Sequence, residues 1–205
     1  MSSPEEKSRI GLFGGSFDPI HNGHLSIASS AVKQFSLDRV IFIPAAHSPL
    51  KADAPSSSDK ERTDMIRLAI GPYSKFELST IEIKRGGVSY SIETVDKIAR
   101  ENPKSILFWI IGGDQARQLD RWRRIEELAR KVEFICLERD EETRVPPAVA
   151  ELTTVHSLKL DRIHISSTEI RERAKEGVIP KYFLPETVFQ YIKSRNLYRN
   201  DQRVT

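Results

Sequence analysis

The sequence predicts an α/β fold in which a parallel β-sheet is covered by helices on both faces, with a small helical piece at the C-terminal end. Short apolar runs alternate with amphipathic helical patterns along most of the chain. Most of these runs lack the polar–apolar alternation of a half-exposed strand, which is typical of strands buried on both faces. The last two helical patterns have no strand between them, so they form the terminal piece.

Six apolar runs predict the strands, the sixth more weakly than the others. They are Arg9–Phe13, Val40–Ile43, Lys75–Leu78, Ile106–Ile111, Val132–Leu137 and Thr153–His156. The helical patterns lie between and after them. They are His24–Phe35, Lys60–Ile70, Ser91–Arg100, Arg124–Arg130, Ser167–Lys175 and Pro185–Ser194. Regular alternation of this kind is typical of a Rossmann-like, doubly wound parallel sheet.

The length of 205 residues fits one domain with a substantial core. We predict a single domain over residues 1–205. Its α/β core spans 9–160, and residues 161–205 hold the segment ISSTEIR, at 165–171, and the terminal helices. Two stretches rich in polar residues and proline, 45–59 and 138–147, are predicted to be loops. Loops of this size in a compact domain often bind ligands.

Composition excludes several classes of protein. The single cysteine, Cys136, cannot form an internal disulfide, and a net charge of +3 is too small to indicate a nucleic-acid partner. The longest apolar run, Ile106–Ile111, is far shorter than a membrane-spanning helix, and the polar N-terminal residues do not resemble a signal peptide. We therefore expect a cytoplasmic protein with no membrane or nucleic-acid partner. Its oligomeric state, a homo-oligomer included, stays open.

Ligands of open parallel sheets bind beyond the carboxyl ends of the strands, so the segments after the strands are the candidates for chemistry. The first strand is followed by Gly14 and Gly15, which let the backbone approach a ligand, and then by Ser16 and Phe17. A helix with Asn22 as its expected N-cap follows directly. Exposed backbone N–H groups and a helix start predict a phosphate-binding site, although no P-loop lysine is present.

His21 and His24 lie three residues apart at this helix start. Both rings can therefore face one phosphate-sized site, where imidazoles donate hydrogen bonds to phosphoryl oxygens. Two exposed histidines in an ordinary first turn are the structural alternative. A metal pair is a further alternative, but no third ligand lies nearby in the sequence.

A second motif, ISSTEIR, spans Ile165 to Arg171. Its hydroxyl residues can simply cap the following helix, with the arginine on the surface. Alternatively, the helix start and the guanidinium hold a second set of phosphate oxygens. A third motif, Gly112-Gly113-Asp114, follows the fourth strand; its carboxylate either binds ribose hydroxyls or a metal, or caps a helix.

Together, GGSFDPIHNGH and ISSTEIR resemble the HxGH and ISSTxxR signatures of the nucleotidyltransferase superfamily. Finer features resemble the bacterial nicotinate-nucleotide adenylyltransferases. They are Arg62-x-x-Met65, Ser89-Tyr90-Ser91, IIGGD followed by Trp122, and the ending that includes Leu197-Tyr198. The resemblance covers nearly the whole chain, from about residue 10 to residue 198.

The resemblance implies transfer of AMP from ATP to nicotinate mononucleotide, with release of pyrophosphate, in NAD biosynthesis. It implies that His24, His21 and Arg171 are catalytic. The implied ATP-binding residues are Gly14, Gly15, Ser16, Phe17, His21, His24, Gly112, Asp114, Ile165, Ser166, Ser167, Thr168 and Arg171. The implied residues for nicotinate mononucleotide are Ser16, Lys51, Tyr90, Ser91 and Trp122. Mg²⁺ is expected to bind mainly through ATP, without a protein metal site.

Three alternatives stay open at this point. Nicotinamide mononucleotide or phosphopantetheine could replace nicotinate mononucleotide as the acceptor. A second alternative is a cytidylyltransferase, although enzymes of that class usually carry a different second signature from ISSTxxR. A non-catalytic nucleotide-binding regulator would be expected to have lost a histidine of the first motif, yet His21 and His24 are both present.

Overall fold

The computed structural model describes residues 7–49, 54–137, 145–160 and 165–199. The strands are β1 (Arg9–Gly15), β2 (Arg39–Pro44), β3 (Phe76–Leu78), β4 (Ile106–Gly112), β5 (Glu133–Leu137) and β6 (Val155–Leu158). The α-helices are α1 (Asn22–Gln34), α2 (Asp59–Ile70), α3 (Ile81–Arg85), α4 (Ser91–Glu101), α5 (Gly113–Ala116), α6 (Ile125–Ala129), α7 (Pro147–Ala150), α8 (Ser167–Lys175) and α9 (Glu186–Ser194). Two 3₁₀ turns lie at Leu119–Arg121 and Lys181–Phe183.

The six strands form one parallel sheet in the order β3-β2-β1-β4-β5-β6. This order confirms the predicted Rossmann-like, doubly wound architecture. The chain moves outward from β1 to β3, then returns to pair β4 with the other side of β1. The carboxyl ends of β1 and β4 therefore meet at the point where the strand order reverses, which is where such sheets bind ligands.

Side chains of the central strands alternate between two hydrophobic clusters, one on each face of the sheet. On one face, Phe13 and Phe42 pack with residues of α1, α2, α8 and α9. On the other, Leu12 and Trp109 pack with residues of α4 and α6. Helices thus cover both faces, and each buried Leu, Ile or Phe stabilises the fold by about 1.5–3 kcal/mol.

The helix starts follow from identifiable caps. Ser58 accepts a hydrogen bond from the Glu61 N–H and the Glu61 carboxylate accepts from the Ser58 N–H, which starts α2. Ser166 accepts from the N–H of Glu169 at 3.1 Å, so the predicted cap of α8 is present. The expected cap of α1 is wrong by one residue, because His21 occupies the N-cap and Asn22 is the first helical residue.

Other boundaries differ from those predicted. β6 begins at Val155, two residues later than expected. The three short helices α3, α5 and α7 were not predicted, because four or five residues give too little periodicity to recognise. α6 begins at Ile125, one residue later than expected, and Trp122 follows a 3₁₀ turn in extended conformation.

The terminal helices join the core of the domain, and α9 packs against α2. Ile170 of α8, with Val188 and Ile192 of α9, belongs to the same hydrophobic cluster as α1 and α2. The division of the domain at residue 160 stays a prediction, since residues 161–164 lie outside the described residues. In the described part of the chain, no helix combines the length and apolarity needed to span a membrane.

Candidate active site

A cleft of about 1140 Å³ opens at the carboxyl ends of β1 and β4. Every predicted site residue that the structure describes lines it, so the structure brings both motifs and the predicted acceptor residues together. They are Gly14, Gly15, Ser16, Phe17, His21, His24, Tyr90, Ser91, Gly112, Asp114, Trp122, Ile165, Ser166, Ser167, Thr168 and Arg171. Lys51 lies outside the described residues. The roles of these residues stay predictions.

The two histidines of the first motif form a stacked pair. Their ring centroids are 3.7 Å apart, and the planes differ by 23°. The backbone N–H of His21 donates to Nδ1 of His24 at 3.3 Å. Because Nδ1 of His24 accepts a hydrogen bond, the neutral ring carries its proton on Nε2. Phe17 contacts the His24 ring edge to face, with centroids 5.0 Å apart, and restricts its orientation.

The glycines of the first motif make room for aromatic rings as well as for a ligand. A Cβ atom on Gly14 would lie 3.1 Å from the indole of Trp109, and one on Gly15 would lie 3.1 Å from the ring of Phe17. A side chain at either position would therefore push on a packed ring. The glycines allow the backbone to lie flat against these rings at the floor of the cleft.

The second motif is bonded directly to the first, although about 150 residues separate them. The Ser167 hydroxyl donates to the carbonyl oxygen of Pro19 at 2.9 Å. Nη1 of Arg171 donates to the carbonyl oxygen of Asp18 at 2.8 Å, and Nη2 donates to the Thr168 hydroxyl at 3.3 Å. The structural alternative for Arg171, an arginine free on the surface, is therefore wrong. The start of α8 faces the same cleft as the start of α1.

Asp18 joins three segments of the chain beneath this junction. Its buried carboxylate accepts hydrogen bonds from the N–H groups of Ser56 and Ser57, at 2.6 and 3.2 Å. It also accepts one from the hydroxyl of Tyr198 at 2.7 Å. These donors tie the segment before α2 and the C-terminal segment to the first motif. Asp18 therefore does more than shape its own turn.

A buried arginine also holds the backbone of the first motif in place. The side chain of Arg62, on α2, has no exposed surface. Its Nη1 donates to the carbonyl oxygen of Ser16 at 2.8 Å, and its Nη2 contacts the Asp59 carboxylate at 2.5 Å. Arg62 does not line the cleft, so the Ser16 carbonyl oxygen is engaged by a buried protein donor beside the backbone N–H groups of the first motif.

Three of the predicted acceptor residues, Tyr90, Ser91 and Trp122, line the cleft near one another. Trp122 packs edge to face against Trp109, with ring centroids 6.2 Å apart. Tyr90 and Ser91 form the N-cap and first residue of α4. The guanidinium of Arg123 lies over the Tyr90 ring at 4.4 Å. An aromatic platform, a helix start and a cation thus occur side by side.

Glu82 holds the loop before α4 in place. Its carboxylate accepts hydrogen bonds from Thr94 at 2.6 Å and from Ser89. Ser89 in turn accepts from the N–H of Ala46, and its own N–H donates to the carbonyl oxygen of His47. Burial raises the pKa of the Glu82 carboxyl above its usual value, against the opposing effect of the Thr94 and Ser89 hydrogen bonds.

In the third motif, Asp114 is the residue predicted to bind a ribose hydroxyl. It lies in the first turn of α5 at the end of β4, and its carboxylate pairs with Arg117 at 2.5 Å. Within the described residues, no cluster of three or more His, Cys, Asp and Glu side chains could hold a metal ion. The carboxylates of Asp18, Glu82 and Asp114 in the cleft are each engaged by a donor of the protein.

Sequence reasoning missed the supporting roles of Arg62, Asp18, Tyr198 and Glu82. One signal was available for Arg62, a charged residue that shares a helix face with the apolar Met65, Ile66 and Ala69. Its partner, the carbonyl of Ser16, lies 46 residues away. Such pairs depend on the tertiary fold, which local patterns do not specify.

Comparison with known proteins agrees with this geometry. Residues 12–173 match the family model described as cytidylyltransferase-like, and this range includes both motifs. Fold and site together define a nucleotidyltransferase. A protein of Opitutus terrae named "Probable nicotinate-nucleotide adenylyltransferase" is 43% identical over 95% of this chain and 100% of its own. One of Methylacidiphilum infernorum with the same name is 43% identical, over 93% and 92%.

The chain belongs to the cytidylyltransferase-like family and, within it, to the nicotinate-nucleotide adenylyltransferases. The fold is also similar to that of the Plasmodium falciparum nicotinic acid mononucleotide adenylyltransferase solved with NaAD. The TM-score is 0.76 at 20% identity, over 93% of this chain and 97% of that one. This likeness supports the architecture of the sheet.

Proposed function

We propose that this chain transfers the adenylyl group of ATP to nicotinate mononucleotide, forming nicotinate adenine dinucleotide (deamido-NAD) and pyrophosphate. One observation carries the proposal: the HxGH and ISSTxxR motifs are hydrogen-bonded to each other at one cleft, through Ser167 to Pro19 and Arg171 to Asp18. Relatives 43% identical over nearly the whole chain carry the name of this activity.

The chemistry needs no covalent enzyme intermediate. A phosphate oxygen of the mononucleotide attacks the α-phosphorus of ATP in line, and a P–O bond forms as the bond to the β-phosphate breaks. The attacking phosphate is ionised near neutral pH, so a strong general base is not required. Catalysis then depends on positioning and on stabilising the charge of the phosphoryl oxygens.

The first motif suits the α-phosphate. Nε2 of neutral His24 carries a proton because Nδ1 accepts from the backbone, so the ring donates to a phosphoryl oxygen. We assign His24 to the α-phosphate in the transition state and His21 to a neighbouring phosphate oxygen. The backbone N–H groups from Gly14 to Phe17 add further donors at the end of β1.

The second motif suits the leaving group. The N-terminal turn of α8 supplies backbone N–H groups, and its hydroxyls and the Arg171 guanidinium supply further donors beside Asp18. We assign Ile165, Ser166, Ser167, Thr168 and Arg171 to the β- and γ-phosphates. These donors stabilise the negative charge that develops on pyrophosphate.

The acceptor and the adenosine occupy the remaining parts of the cleft. Trp122 stacks with the pyridine ring, and Ser16, with the N–H groups of Tyr90 and Ser91, binds the rest of the mononucleotide. Gly112 and Asp114 bind the ATP ribose. Lys51 keeps its predicted role at the mononucleotide phosphate, and it lies outside the described residues.

Mg²⁺ enters as part of the Mg–ATP substrate. The cleft carboxylates are already engaged by protein donors, which suits an ion held by phosphate oxygens and water rather than by a protein cage. The cytoplasmic location, the absence of nucleic-acid and membrane partners, and the oligomeric state stay predictions.

A panel of acceptors tests the proposal. Purified protein with ATP and Mg²⁺ is given nicotinate mononucleotide, nicotinamide mononucleotide or phosphopantetheine, and pyrophosphate release is followed. The highest kcat/KM is expected with nicotinate mononucleotide. A preference for phosphopantetheine, or no release with any acceptor, would contradict the proposal.

A further inference from the structure

The arginines between residues 117 and 130 fall into two groups. Three of them lie in ion pairs with carboxylates: Arg117 with Asp114, Arg124 with Glu127, and Arg130 with Glu126. Arg121 and Arg123 line the cleft instead. Within the described part of the chain, no carboxylate lies within 4.0 Å of either guanidinium. The cleft is therefore flanked by two cations that the described residues do not neutralise.

The carboxylates that line the cleft do not compensate for this charge. Asp18 binds two backbone N–H groups and a tyrosine, and Glu82 binds Thr94. Glu169 pairs with Arg173 at 2.6 Å. Each carboxylate is thus directed to a partner other than the two arginines. The part of the cleft that Arg121 and Arg123 line therefore suits a ligand that carries negative charge.

The Tyr90 ring fixes the place of Arg123. The guanidinium carbon lies 4.4 Å from the ring centroid, a distance at which cation and ring attract each other. Tyr90 precedes Ser91 at the start of α4, and Trp122 precedes Arg123 in the chain. The charge is therefore held beside both the proposed pyridine platform and the backbone N–H groups of the acceptor site.

We propose that Arg123 is a specificity-determining residue that selects the ring carboxylate of nicotinate mononucleotide over the carboxamide of its amide analogue. This inference rests on the proposed function. A carboxylate carries a charge and only accepts hydrogen bonds, whereas a carboxamide is neutral and also carries donors. A guanidinium only donates, so it attracts the acid and gains little from the amide. Arg121 adds to the same positive field.

Two substitutions separate charge from packing. Arg123→Met keeps an apolar chain against Tyr90 and removes the charge, whereas Arg123→Lys keeps the charge without the planar group. The measurement is kcat/KM for nicotinate and nicotinamide mononucleotides at saturating Mg–ATP. In Arg123→Met, kcat/KM for the acid falls about tenfold, and that for the amide changes less than about twofold. Arg123→Lys keeps most of the acid-to-amide ratio.

Arg124→Met is the matched control, because Arg124 is paired with Glu127 and does not line the cleft. Its acid-to-amide ratio should equal that of the unmodified protein. Equal losses for both acceptors in Arg123→Met would overturn the inference, and so would an unchanged ratio. A loss in Arg123→Lys as large as in Arg123→Met would also overturn it. Failure of the unmodified protein to use nicotinate mononucleotide would instead refute the proposed function.

Discussion

Replacing Tyr198 by phenylalanine removes one hydroxyl from the network around Asp18. That hydroxyl donates to the Asp18 carboxylate at 2.7 Å and accepts from the Ser57 hydroxyl at 2.7 Å. Burial and the negative charge of Asp18 raise the pKa of the phenol, so it stays protonated and donates throughout the physiological range. The substitution leaves the ring in place and creates no large cavity.

The size of the expected loss of stability depends on the hydrogen-bond acceptor, the Asp18 carboxylate. A hydrogen bond to a charged group contributes about 1.5–3 kcal/mol, and Asp18 is only 3% exposed, so water does not readily replace the lost donor. We therefore expect the Tyr198→Phe substitution to lower the free energy of unfolding by about 2 kcal/mol. The carbonyl of the same Asp18 holds Arg171, so kcat/KM should also fall.

Tyr191→Phe provides the matched control. The Tyr191 hydroxyl also donates to a carboxylate, that of Asp64, at 3.1 Å. Asp64 keeps two further cationic partners, Lys60 and Arg67, and lies closer to solvent, so the loss should stay below about 1 kcal/mol. Urea unfolding of the three proteins measures both values. A loss in Tyr198→Phe no larger than in Tyr191→Phe would refute the reasoning.

Three further predictions concern the cleft. His24→Ala should lower kcat by about a thousandfold in a protein that still folds, because one transition-state donor is lost; nearly normal turnover would exclude that role. Trp122→Ala should raise KM for nicotinate mononucleotide about tenfold and leave KM for ATP unchanged, and equal rises would indicate a structural residue. Glu82 has a raised pKa in the folded state, so its contribution to stability is lost as pH rises from the ordinary 4.5 through the raised value. Glu82→Gln should therefore gain stability relative to the unmodified protein across that window, measured by urea unfolding at a series of pH values; a constant difference would contradict the assignment.

The architecture was predictable because it depends on patterns that local sequence carries. Apolar runs such as Ile106–Ile111 gave the strands, and their alternation with helices gave the doubly wound sheet. Boundaries were less predictable. β1 extends through Gly14 and Gly15, residues whose own preference does not favour a strand, because pairing with Ile43 and Pro44 of β2 holds them there.

The sequence allowed us to predict which residues lie around the candidate site, but not the contacts that hold them there. The two motifs, with Tyr90 and Trp122, lie around one cleft as expected. The contacts that hold them there could not be read from the sequence, because each joins distant segments: Arg62 to Ser16, and Tyr198 to Asp18. A buried charge is stable only beside its partner, and the tertiary fold supplies that partner.

The most direct test of the two-motif site is a crystal structure with Mg²⁺ and a non-hydrolysable ATP analogue. The triphosphate should lie between the two helix starts, with His24 at the α-phosphate and residues 166–171 at the β- and γ-phosphates. A triphosphate that contacts only one of the two motifs, or that binds in another part of the molecule, would contradict the account.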